Sequence, residues 1–301
     1  MANSSCPTFR NGWTYIGLFG VFLLTSCGLT IQQKAAVDQF ATATRDLSVT
    51  AQTEFQKSRQ DVVEMNRLRL ELGDTNADVT KLDSLLTLDR TKDRIVALQA
   101  LEDYGGLLNK LVGIVPEGEL LEASNTFVGN LKQVKGITLT DQEAEGIGKA
   151  VAAVGGLYVE HKRAQAVRQV VEVAHMPVLT MIDLLKKDFD PNSDFWNAGY
   201  RQTALDLRGH AAFIASSVPV NDLASKQSVQ RAKTLAAENM NRFTAISMQI
   251  AALATTLSDG QKNLRLVLNP SELNVQSIDQ LTTQVREFKA IYSLLRNESP
   301  R

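Results

Sequence analysis

The stretch VQRAKTLAAENMNRFTAISMQIAALATTL, Val229 to Leu257, decides the fold class. Its apolar residues Val229, Ala232, Ala236, Met240, Phe243, Ile246, Ile250, Leu253 and Leu257 recur at steps of three or four. That is the 3.6-residue period of a helix with one buried face, whereas a half-buried strand alternates at every second residue. The same stepping appears in Ile278, Leu281, Val285, Phe288, Ile291 and Leu295. Val37, Phe40, Leu47, Ala51, Phe55, Val62, Met65, Leu68 and Leu72 mostly follow it, with a seven-residue step across Thr44. No run of period-two alternation is found. Aromatic residues make up 6% of the chain, so the core is built from aliphatic stripes, which suit helices better than sheets. The expected fold is all-α, an elongated antiparallel bundle of long helices.

Caps and breakers set the expected boundaries. A first helix runs from about Gln33 to Leu72 and stops at Gly73. A second helical stretch covers roughly Ala77 to Val112, with a bend near TLDRTKD. Gly113, Pro116 and Gly118 close that hairpin, and a short helix follows from about Glu119 to Val134. Thr140 and Glu143 form a T-x-x-E capping box. The helix it opens is expected to reach about Lys187, some 47 residues or ~70 Å at 1.5 Å per residue, with Pro177 kinking or dividing it. Further helices are expected at about Asp194 to Ser217, Asp222 to Leu257 (ending at Asp259-Gly260) and Gln276 to Asn297.

The N-terminus carries a different signal. An apolar core from Trp13 to Leu24 covers about a dozen residues, too few to span a hydrocarbon core that needs ~20. It follows Arg10 and precedes small residues, the anatomy of an export signal. At its end stands LTSC, Leu24 to Cys27. This resembles the lipobox of bacterial lipoproteins, a branched apolar residue and two small ones before a cysteine. The resemblance covers only about the first 28 residues. It implies a thiol carrying diacylglycerol, cleavage before Cys27 and acylation of the new N-terminus. Residues 1–26 are then a signal peptide, 27–33 an acylated tether and 34–297 a single helical-bundle domain. Gly28 follows the cysteine, where Asp favours inner-membrane retention in lipoproteins of enterobacterial type, so the outer membrane is expected over the inner one.

Charge and cysteine content narrow the function classes. The chain has 32 basic against 33 acidic side chains, and the expected signal removes only Arg10. That balance argues against nucleic acid, which calls for clustered Lys and Arg. Of two cysteines, Cys6 falls in the segment to be discarded and Cys27 carries the lipid, so no disulfide is expected.

Candidate chemistry is sparse. Glu172 and His175 form an E-x-x-H pair of the kind used in di-iron bundles, which need a second such pair and two further glutamates. Only three histidines are present and no second pair, so neither metal nor another cofactor is expected. GIGKAVAAVGG, Gly146 to Gly156, lacks the spacing and the Ser or Thr of a phosphate loop. Its small residues suggest close helix packing. A membrane-acting or pore-forming segment, Ile147 to Val159, is the rival reading. His161, Lys162, Arg163 and Arg168 form a basic cluster that reads as a solvated face or a contact for lipid or partner. Trp196 and Tyr200, four apart, read as an aromatic patch of interface type, or, for Trp196, a cap on the core. No G-x-S-x-G or other nucleophile motif occurs.

The expected protein is therefore a non-enzymatic, lipid-anchored cell-envelope bundle, held to the membrane through Cys27 and acting as a scaffold or binding module for another protein. Mass spectrometry of the tryptic peptide Cys27 to Lys34 from isolated membranes tests the anchor. The expected mass includes a diacylglyceryl group and an amide-linked acyl chain, and an unmodified peptide removes the lipoprotein reading.

Overall fold

The computed structural model describes residues 28–154, 160–268 and 275–297. Among these are eight helices: α1 (Ile31–Glu71), α2 (Leu88–Val112), α3 (Glu117–Gln133), α4 (Asp141–Ala152), α5 (Glu160–Phe189), α6 (Trp196–Ala215), α7 (Leu223–Val267) and α8 (Gln276–Asn297). No strand occurs among the described residues. The fold is an all-α helical bundle. Cys27 lies outside the described residues, as do the signal segment and 155–159 of the alanine- and glycine-rich stretch.

Helix α1 is the axis. It buries residues along its whole length, from Gln33 to Leu68, because helices surround it. Thr44 and Ser58, both 0% exposed, fill the gaps in its apolar stripe. Thr44 turns its hydroxyl back onto the Phe40 carbonyl, so it is buried without an orphaned polar group. Side-chain contacts give the directions. Asn109 reaches Asp38, and Gln52 reaches Glu102, so α2 runs antiparallel to α1. Gln33 bonds the Val267 carbonyl and Arg242 meets Glu54, so α7 is antiparallel too. Lys34 pairs with Glu160 and Phe55 packs on Phe189, while Trp196 reaches Ser58 and His210 reaches Leu72. Helices α5 and α6 thus follow one another along α1, both parallel to it. Helix α8 lies in the groove of α1 and α7, with Lys289 on Asp46 and Thr256 on Gln284.

Several boundaries differ from expectation, each for a physical reason. Residues 77–87, expected as helix, form consecutive turns. Gly73 at φ 77° ends α1, and Asp74 and Asp78 bond the backbone N–H groups of Asn76 and Thr80, drawing the chain away from helix. Asn66 holds the turn through the Leu82 carbonyl. Helix α2 begins only at its Thr87 cap. The helix opened by the Thr140–Glu143 capping box stops at Ala152, before Gly155 and Gly156, rather than continuing to about Lys187. Pro177 sits inside α5. It is half-buried beside exposed Met176. Helix α7 passes Asp259-Gly260 and continues to Val267. Residues 28–33 belong to the fold rather than forming a loose tether, with Leu29 buried and α1 beginning at Ile31.

Glycine marks close approach, though not at Gly146 and Gly148, the two described glycines of the small-residue stretch. A Cβ on Gly148 would meet nothing within 4 Å, and one on Gly146 only Gln169 at 3.7 Å. At Gly105 the Cβ would stand 2.6 Å from the Ala41 carbonyl oxygen, beside buried Tyr104. The tightest approach of this kind is that of α1 and α2. Gly260 lets α7 close on Phe40 and Leu281, at 3.2 and 3.3 Å from a would-be Cβ. Gly105→Ala should therefore destabilise by about 1–3 kcal/mol through overpacking. Gly106→Ala, with nothing within 4 Å, should stabilise by up to ~1 kcal/mol from helix propensity. Urea denaturation of the pair checks both signs.

Candidate functional site

Polar chemistry concentrates at mid-height, where α1, α6, α7 and α8 meet. Glu54, Lys57, Ser58 and Asp61 lie three or four residues apart and share one face of α1. Arg242 of α7 reaches across to them. Its guanidinium donates to both Glu54 oxygens at 2.9 and 3.1 Å and to Asp61 Oδ2 at 2.8 Å. Lys57 also pairs with Asp61. The Tyr200 hydroxyl lies 3.1 Å from Asp61 Oδ2 and 3.3 Å from the Asn239 carbonyl. Tyr292 of α8 donates to Glu54, and the Trp196 indole donates to Ser58 Oγ at 2.9 Å. Phe243 stacks on the Tyr200 ring with centroids 3.9 Å apart.

Burial sets the electrostatics. The Glu54 carboxyl is 0% exposed, and burial pushes its pKa above the usual carboxylate range against the opposing pull of Arg242. Burial, reinforced by Asp61, drives the Tyr200 phenol well above its ordinary value. Burial disfavours the Arg242 charge, yet Glu54 more than compensates and holds the guanidinium protonated. The two carboxylates accept from at least four donors between them, which makes the cluster a fixed ionic clamp rather than a poised acid–base pair.

A second polar group occupies one end of the bundle. Arg69 at the end of α1 bridges Asp74 at 2.8 Å and Asp206 at 3.3 Å. His210 Nε2 meets the Leu72 carbonyl at 3.2 Å. Burial of Asp74 would raise its pKa, but the Asn76 N–H and Arg69 outweigh it and hold the carboxyl below the usual range. Beside this cluster the α6–α7 turn exposes Phe213, Val220 and Leu223, at 71%, 84% and 67%. Partway along the bundle, a hollow of about 210 Å³ is lined by Phe55, Arg94, Ala97, Leu98, Met181 and Asp188 among others. Of these, Arg94 forks onto Asp188 at 2.8 and 3.0 Å.

The residues singled out from sequence are dispersed. Trp196 and Tyr200 are 3% and 0% exposed, so they form core rather than a surface patch, Trp196 packing edge-on to Phe55. Of the basic cluster, His161 and Lys162 face solvent and Arg163 is buried. Arg163 donates to the Gly113 carbonyl past the end of α2, and Arg168 to the Leu268 carbonyl at the end of α7, at 3.0 Å. Both arginines thus satisfy carbonyls that a helix end leaves open. Glu172 forks onto Arg265, with both contacts at 2.6 Å. Burial holds His175 below its ordinary pKa, and its Nδ1 lacks a hydrogen-bond partner. Among the described residues no group of three or more His, Cys, Asp or Glu is placed to hold a metal ion. None of the helices searched among those residues is long and apolar enough to cross a membrane.

The ionic clamp was missed by sequence reading, although Glu54 and Asp61, both buried, stand at helical spacing beside the apolar stripe of α1. Comparison with protein families, with characterised proteins and with solved structures finds no match.

Arg242→Met should cost about 3–5 kcal/mol, because it leaves Glu54 buried without its counter-charge, while Asp61 keeps only Lys57. The sign of its pH dependence follows from Glu54. A carboxyl whose folded pKa is raised favours the fold below that pKa and loses this contribution as pH rises through it. The deficit of Arg242→Met against the parent should thus be largest near neutrality and shrink on acidification, where Glu54 takes up a proton. Denaturant titrations across that pH range measure it.

Proposed function

We propose that this chain is a lipid-anchored, non-enzymatic helical bundle of the cell envelope that presents one end to a protein partner. The observation that carries the reading is polarity. Gly28, directly after Cys27, enters the fold at the end of α1 where Lys34 meets Glu160 and Gln33 caps α7. Phe213, Val220 and Leu223 are displayed at the other end, beyond the last turn of α1. The 41-residue α1 separates the two by about 60 Å at 1.5 Å per residue.

Large apolar side chains exposed at neighbouring positions mark interaction sites when they gather rather than scatter. Here Phe213 lines one hollow together with Arg69, Asp74 and Asp206, so the tip sets exposed apolar side chains beside charged ones, a mixture found in protein-binding surfaces. A non-enzymatic role is supported by the ionic clamp, whose acids are committed to fixed donors. Attachment through Cys27, with the outer membrane favoured by Gly28, would leave the tip facing away from the lipid.

The proposal is tested by placing a photoreactive phenylalanine analogue at Phe213 or Val220 and irradiating living cells. A discrete adduct from these positions, absent when the analogue replaces exposed Glu122 on α3, is the expected result. Adducts that are equally diffuse from all three positions, or none at all, count against a partner at the tip.

A further inference from the structure

We infer that the base of the bundle rests directly on the lipid surface, with Ile31 and Ile114 seated in the headgroup layer and α1 standing away from the membrane. This rests on the lipid-anchor reading above and deepens it. The reason is the lack of slack after Cys27. A Cβ on Gly28 would lie 3.4 Å from Glu160 Cβ, and Leu29 is only 8% exposed. Thr30 caps α1 through a reciprocal box with Gln33. Ile31 is already helical. No free linker separates the acylated residue from packed structure.

Reach then constrains position. From Cys27 to Ile31 the chain makes four steps of at most ~3.6 Å, or about 14 Å fully extended. The polar layer on each side of a bilayer is roughly 5–8 Å deep, the difference between its total and hydrocarbon thickness. A glyceride on Cys27 at the hydrocarbon boundary therefore holds the first turn of α1 within or just above the headgroups.

The base offers two exposed isoleucines among charged groups such as the Lys34–Glu160 pair. Ile31 is 87% exposed, the most of any large hydrophobic residue among the described positions, and Ile114 is 81% exposed. Ile114 is brought to the same level by Asn109, which reaches Asp38 at 2.7 Å, and by Arg163 on the Gly113 carbonyl. In water these two side chains gain nothing from exposure. In the interface they supply a second membrane signal beside the acyl chains. The flanks expose apolar side chains too, Met176 and Met248 among them, but these are interspersed with exposed ion pairs such as Lys149–Glu145 and Lys187–Asp183, which suit water.

The chemistry of the cysteines supplies the test. Once Cys6 is removed and Cys27 acylated, an introduced cysteine is the sole free thiol. Full chains carrying Ile31→Cys, Ile114→Cys, Phe213→Cys or Leu223→Cys, all at exposed positions, are purified from membranes and labelled with an environment-sensitive fluorophore. They are then reconstituted in vesicles of phosphatidylethanolamine and phosphatidylglycerol containing a headgroup-proximal nitroxide lipid. Labels at 31 and 114 should be quenched several-fold more strongly than those at 213 and 223. If an acylated chain shows weak quenching at all four positions, or equal strong quenching, the upright contact is overturned while the anchor stands. If the protein mass lacks acyl groups and Cys27 takes up label as well, the anchor reading fails and this inference falls with it.

Discussion

Arg242 bound between Glu54 and Asp61 is the interaction on which the rest of the bundle depends. Aliphatic stripes on long helices can slide past one another by a turn with little loss, because one Leu or Ala resembles the next. A buried guanidinium with two buried carboxylates cannot. Moving α7 by one turn relative to α1, about 5.4 Å, would leave Glu54 and Arg242 unmatched in the interior and Asp61 with Lys57 alone. The clamp therefore sets the register of α1 and α7. Tyr200 and Tyr292, bonded to the same carboxylates, extend that register to α6 and α8. Its place at mid-height coincides with the point where α5 gives way to α6.

The two ends are handled differently. At the base, the carbonyls at the ends of α2 and α7 are met by Arg163, Arg168 and Gln33 from neighbouring helices. Cationic groups at helix C-termini also suit the helix dipole. At the tip, the α1–α2 connection is held by short polar side chains, Asp74, Asp78 and Asn66, acting on nearby backbone. Backbone polarity is thus looked after at both ends, while apolar side chains remain outside at both. Under the proposed anchoring, Ile31 and Ile114 would meet the lipid surface, and Phe213, Val220 and Leu223 the partner.

Much of the helical framework was legible, and the failures have local causes. The spacing from Ile278 to Leu295 led to α8 at its observed bounds, and the Thr140 capping box to the start of α4. The turns at 77–87 were read as helix because their composition is compatible with one. What decides against it is Asp side chains bonding backbone two residues on. Gly260 was read as a helix stop, whereas it sits within α7 because Phe40 and Leu281 come too close for a side chain. Neither outcome can be told from the identity of the glycine alone. The aromatic pair Trp196 and Tyr200 has the composition of an interface, and only the neighbours wrapped around it make it core.

By itself the sequence determined the class of the fold, since period and composition are local properties that each helix carries without reference to the others. It also marked the candidate anchor, because a lipobox is read as a linear motif. The meeting of Glu54, Asp61 and Arg242 is different. It joins residues 181 and 188 positions apart, and many acids and arginines in the chain are equivalent until the helices are placed. The polarity of the bundle belongs with it. That Gly28 and Phe213 stand at opposite ends follows from how α5 and α6 align along α1, which only packing in three dimensions can decide.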